Sequence, residues 1–218
     1  MPLSIPAAPS ACLAAFSNGL PAFLPGAPAG TVVSETYVGT APPIPTAADV
    51  STGAGGPPNV TTMIQIFALS LADAANNTGV ISPSPAGWGF FAGGTSTTSV
   101  LGRVVQRGSG WKLVAVQYGG LIWQTWITSR QLPTLLPASF QAGDYELRLL
   151  TVPGLNLEAF WLAPQTAGFT DLIVSTPTPV KPAVILGDAN HPLEMTTFLA
   201  EIRPLAASLL NLSGKRGA

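Results

Sequence analysis

The sequence predicts an α+β fold: a compact mixed sheet of antiparallel hairpins with two or three helices, preceded by an extended Pro-rich arm. Three observations lead there. Between about residues 60 and 210, segments with strand-like alternation are mixed with segments of helical spacing, without regular βαβ alternation. Gly and Pro pairs separate the apolar runs at hairpin distances. Before residue 60, apolar side chains sit between frequent Pro, Ala and Gly breaks, a pattern too interrupted for a core of its own. The chain therefore divides into an arm over 1–60, a domain over 61–212 and a basic tail over 213–218.

In the arm, the spacing allows a short helix over 11–16 and a strand over 31–38, and the rest reads as extended. Leu13, Phe16, Leu20, Phe23, Leu24 and Tyr37 would be costly to leave in water, so the arm is expected to dock on a surface. In the domain, Thr62-x-x-Gln65 has capping-box spacing and opens an apolar run that predicts a buried helix over 63–75, stopped at Asn76-Asn77-Thr78-Gly79. A strand over 63–71 is the competing reading, because short apolar runs are ambiguous. A short strand is expected over 88–91. Residues 99–106 and 111–118 form a hairpin through Gly108-Ser109-Gly110. Helical spacing covers 121–132, with Ile122, Trp126 and Ile127 on one face. A second hairpin pairs 145–152 with 155–162 about Pro153-Gly154, a pair suited to a type II turn. One more strand is expected over 171–175. Asn190 caps a last helix with Pro192 in its first turn, and Leu193, Phe198, Leu199 and Ile202 recur on its apolar side. Pro204 is expected to kink or stop it.

Charge is scarce. Only 9% of the 218 residues are charged, against about 25% in an ordinary soluble domain. Apolar residues make up 47%, and the 22 prolines are about twice the usual share. Up to Gly102 the only ionisable acids or bases are Glu35, Asp49 and Asp73, and all nine basic residues follow. Set against the remaining acids, these give the second half a weak positive balance, too diffuse for a phosphate-backbone footprint, so nucleic acid is not expected. The segment after Met1 lacks a basic n-region, and Pro2, Pro6 and Pro9 interrupt any apolar leader helix. Gly-Gly-Pro-Pro breaks the uncharged stretch over 50–72, so no membrane span is expected. These features predict a cytoplasmic protein, or one within an assembled particle.

Residues that could carry chemistry are few. Cys12 is the only cysteine and His191 the only histidine, which leaves no ligand set for a structural metal and no disulfide framework. His191 follows Asp188 by three residues, a pairing that can orient a general base, although its place at a helix start next to Pro192 fits a surface capping turn better. Glu146, Arg148 and Glu158 are the best charged constellation, since the second hairpin could place both carboxylates beside one ligand. Cross-strand ion pairing is the more economical account. No Gly-x-Ser-x-Gly elbow and no phosphate loop is present. The five tryptophans all lie between 88 and 161, where most are expected to fill the core.

These features predict a non-enzymatic structural or assembly subunit of a larger oligomeric complex, such as a coat, shell or filament, without cofactor, metal or catalytic residues. Its partners would be copies of itself or subunits of a larger complex. Leu13, Phe16, Leu20, Phe23, Leu24, Tyr37, Trp123 and Trp126 are the expected interface residues. The alternative is a module that binds a peptide or apolar ligand through the aromatic-rich region. An enzyme using Glu146 and Glu158, or Asp188 and His191, is the third reading.

Overall fold

The structure, a computed structural model, describes residues 3–24, 34–35, 46, 49–50, 58–75, 83–93, 95, 98–176 and 191–214. The chain forms β1 (Leu3–Ser4), α1 (Ser10–Gly19), β2 (Ser34–Glu35), β3 (Val60–Ala68), α2 (Leu71–Ala75), β4 (Ser84–Ala92), β5 (Val100–Arg107) and β6 (Gly110–Tyr118). It continues with α3 (Gly120–Leu135), α4 (Ala138–Gln141), β7 (Tyr145–Val152), β8 (Leu157–Pro164), β9 (Leu172–Ser175), β10 (Leu193–Glu194) and α5 (Met195–Gly214). All ten strands described join one sheet in the order β10-β9-β8-β7-β3-β4-β5-β6-β2, with β1 beside the start of β7. The α+β expectation holds, with five helices where two or three were expected.

Two antiparallel meanders build the sheet. One runs from β3 to β6 and the other from β7 to β10, and the parallel pair β3–β7 joins them. The connection from β6 back to β7 passes through α3 and α4, the long crossover that adjacent parallel strands of one sheet require. Arg107 and Gly110 close the first hairpin as the Gly108 signal predicted, with Gly108 at φ 58°. In the second hairpin, a 3-10 turn over Pro153–Leu155 replaces the expected type II turn. Asn156 then takes a left-handed φ of 49°, and β8 starts at Leu157.

Residues 63–75 differ from the helix reading. Val60–Ala68 is a strand, and only Leu71–Ala75 is helical. Val60, Thr61 and Thr62 just before the run, with Ile64 and Ile66 in its first half, are β-branched side chains that favour an extended chain. The strand lacks polar alternation because it is central and covered on both faces, with Ile64 and Ile66 on one side and Phe67 on the other. The working capping pair is Ser70 and Asp73. The Asp73 amide donates to Ser70 Oγ at 3.0 Å, and that hydroxyl bonds the Asp73 carboxylate at 2.5 Å. Thr62, expected to cap, lies within β3 and accepts a bond from Trp126 Nε1 at 3.2 Å. At the other end, α5 starts at Met195, after a two-residue strand, and Pro192 precedes it; Asn190 lies outside the described residues. Pro204 sits inside α5, which runs on to Gly214.

Both faces of the sheet are apolar, and helices cover each. On one face, Ile64, Ile66, Phe91, Leu147, Leu149, Phe160 and Leu162 pack with Ile122, Leu132 and Leu136 from the α3–α4 crossover. On the other, Phe67, Leu150, Val152, Trp161 and Ile173 pack with Phe198, Leu199, Ile202 and Ala206 of α5. The β4–β6 part of this second face is covered by the chain's own N-terminal region. Cys12, Phe16, Leu20 and Leu24 are buried against Trp88, Phe90, Val104, Leu113, Val116 and Tyr118.

This is the main correction to the arm. Residues 3–24 are not an extended arm awaiting a partner: β1 pairs in parallel with Tyr145 and Glu146, and α1 is part of the core. The strand expected over 31–38 is seen as Ser34–Glu35 beside β6, and the remaining residues of that span lie outside the described set. Phe16 stacks on Phe90 with centroids 5.0 Å apart. Gly102 makes the seat, since a Cβ there would stand 2.3 Å from the Phe16 ring.

Two substitutions probe this packing. Gly102→Ala should lower stability by about 1–3 kcal/mol by lifting Phe16 off β5, measured by denaturant unfolding. Tyr145 is fully buried, and its hydroxyl has no hydrogen-bond partner among the described residues. Tyr145→Phe should therefore keep stability or raise it by up to about 1 kcal/mol, and a clear loss would show that the hydroxyl is satisfied.

Candidate functional site

Charged side chains are so few that their positions on the sheet decide which chemistry is open to the chain. Register sorts them. Gln65 lies beside Arg148 on β7 and beside Trp88 on β4, so these three share the face covered by α1 and α5. Glu158 pairs with Thr151 and alternates with Phe160 and Leu162, which places it on the opposite face. The constellation read from the second hairpin is therefore split. Glu146 and Arg148 share one face, Glu158 points to the other, and the two carboxylates cannot flank a common ligand.

Each carboxylate has its own arginine. Arg148 Nε donates to Glu146 Oε1 at 2.6 Å. Arg103 Nη2 bonds Glu158, and its Nε and Nη2 also donate to Gln117 Oε1 at 3.1 and 3.0 Å. The second group is a long bridge in sheet terms. β5 and β8 are four strands apart, about 19 Å in a flat sheet. The sheet must curl toward the α3 face for these side chains to meet. A register shift between Arg103 and Val104 sits where that curl is needed, as bulges bend and twist the strand that carries them.

Arg148 lies over two aromatic rings, 4.7 Å from the Phe67 centroid and 4.5 Å from that of Trp161. The rings meet edge to face at 5.1 Å. Trp161 Nε1 donates to Asp171 Oδ1 at 2.6 Å, which fixes the indole. A second aromatic group lies on α3. Trp123 and Trp126, both half-buried, are 4.7 Å apart, with Arg130 over Trp126 at 5.8 Å.

The expected interface residues fall into three sets. Phe16, Leu20 and Leu24 are buried in the chain's own core, and Leu13 and Phe23 pack half-buried against the same cluster. They are occupied within the chain. Trp123 and Trp126 remain half-exposed on α3, while Tyr37 lies outside the described residues. His191 is exposed, and Asp188 also lies outside the described residues. Among the described residues, no group of three or more His, Cys, Asp or Glu could hold a metal ion. No helix among them is long and apolar enough to cross a membrane.

Sequence reading passed over one exposed feature, the outer side of α5. Leu209 is 39% exposed and Leu212 is 56% exposed, in line with the half-buried Leu205 at helical spacing. No ionisable residue lies between Pro204 and Gly214. The i, i+4, i+7 spacing was legible, but Pro204 was expected to kink or stop the helix before it.

Comparison with protein-family models, with curated proteins and with solved structures gives no match to this chain.

Cys12 is fully buried, and burial pushes its thiol up to about 11 from 9.0. A thiolate nucleophile needs the opposite shift. The unfolded chain ionises this thiol before the folded one does, so the stability it carries is lost as pH rises from about 9 toward 11. Unfolding free energy should fall by about 2 kcal/mol across that window. Cys12→Ala should flatten most of the fall, leaving the part due to Tyr145, whose hydroxyl is raised by burial and then by Asp171.

Proposed function

We propose that the chain is a non-enzymatic structural subunit that assembles with copies of itself through the outer side of α5. The observation that carries this reading is the stripe of Leu205, Leu209 and Leu212, with two leucines well exposed on a segment free of charge. Burying a leucine is worth about 1.5–3 kcal/mol, so a partner that covers the stripe gains several kcal/mol before ordering costs. Leu205 also packs on the α5 core cluster, so such a partner would extend an existing core. The absence of charge favours a like copy, because two identical faces then meet without repulsion. A self-complementary two-fold contact is the common geometry for such pairs.

The depleted charge of the whole chain supports the same reading, although burial on both sheet faces accounts for much of it. The binding-module alternative draws on Trp123, Trp126 and Arg130 of α3, residue types that anchor interfaces. Trp126, however, spends its indole N–H on Thr62 of β3 and so helps hold α3 to the sheet. That use favours a packing role.

Light scattering over a range of concentrations tests the proposal. The chain should form dimers or larger assemblies, and Leu209→Glu with Leu212→Glu should return it to monomer with its circular dichroism unchanged. A wild-type monomer at every concentration, or a variant that assembles as the wild type does, would contradict it.

A further inference from the structure

Arg148 is immobilised without using its best donors. Two rings pack against its guanidinium, and Glu146 holds Nε. The two rings are themselves fixed, being buried and in edge contact, with Trp161 also tied to Asp171. Yet its terminal nitrogens Nη1 and Nη2 have no acceptor among the described residues, and they reach solvent, with the side chain 21% exposed. Gln65 stands beside Arg148 in register on the same face, half-buried, and its side-chain amide also has no partner among the described residues. A flexible surface arginine gives up entropy each time it binds, whereas this one has already been ordered by the fold.

We propose that Arg148 and Gln65 form a receptor for a carboxylate on the sheet face between α1 and α5. The planar fork of the Nη pair donates to the two carboxylate oxygens side by side, and the Gln65 amide supplies a third donor. Glu146 flanks the position and sets its selectivity. With the Glu146 carboxylate already on the guanidinium, a singly charged ligand is tolerated and a doubly charged phosphate is disfavoured. A small organic acid and an acidic peptide side chain offer the same chemistry to the fork.

The test is an NMR titration of the full chain with acetate, with an Asp-containing peptide, with its Asn counterpart and with inorganic phosphate. Acetate or the Asp peptide should give saturable shifts at the Gln65 amide, the Arg148 Nε–H and the Trp161 indole. Saturation by acetate identifies a small acid as sufficient, and saturation by the Asp peptide alone identifies a peptide as the source. Arg148→Met, which keeps the packing on the rings, should weaken binding by about tenfold or more. Arg148→Lys, which keeps the charge and loses the fork, should fall between. Should the Met variant fail to fold, Arg148→Lys and Gln65→Leu carry the comparison. Shifts that never saturate, that persist unchanged in the variants, or that phosphate or the Asn peptide produces equally well would overturn the proposal.

Discussion

A sheet that is apolar on both faces has to be covered on both, and the seat of Phe16 on Gly102 closes the last exposed part. The α3–α4 crossover fills one side, and α5 covers the β7–β9 half of the other. Among the described residues, no helix from the nearby chain covers the β4–β6 half, and α1 comes from the N-terminal region to lie on it. Gly102 allows the approach because it offers no side chain, and Phe90 presents a ring for Phe16 to stack on. Without that contact, Trp88, Phe90, Val104 and Val116 would face water.

The same arrangement explains the scarcity of charge. A large sheet buried on both faces leaves few positions where an ionised side chain meets water, and four of the charges on it meet in two specific pairs. Arg103 and Glu158 face each other across the curl of the sheet, and Arg148 and Glu146 share the opposite face. Neither pair carries much stability where it meets solvent. Their value is positional: one bridges strands four apart in the sheet, and the other orders an arginine on aromatic rings.

What was legible in the sequence was local. The hairpin of β5 and β6 could be read because alternation and a Gly-Ser-Gly turn agree, and α3 because its spacing is helical over three turns. β3 was misread because a central strand covered on both faces loses the alternation that marks strands, and Thr62 happens to stand three residues before Gln65. α1 was found as a short helix, but its role was not, since only the tertiary structure shows that Gly102 leaves room for Phe16. The site could not be read for a similar reason. Glu146 and Glu158 share a hairpin, yet the register sets them five positions apart along the strands and on opposite faces, and a sequence does not fix that register. Gln65 acquires its place beside Arg148 only from the parallel pairing of β3 with β7, which joins residues far apart in the chain.

The central claim is that residues 3–24 belong to the core of this fold, and native-state hydrogen exchange tests it most directly. If α1 is part of the core, the amides of its buried turn, from Cys12 to Phe16, should open only with the strands beneath and show the same protection as Phe90 and Val104. If those helix amides exchange by a separate, low-energy opening while β4 and β5 stay protected, the N-terminal segment is a loosely held arm and the claim fails.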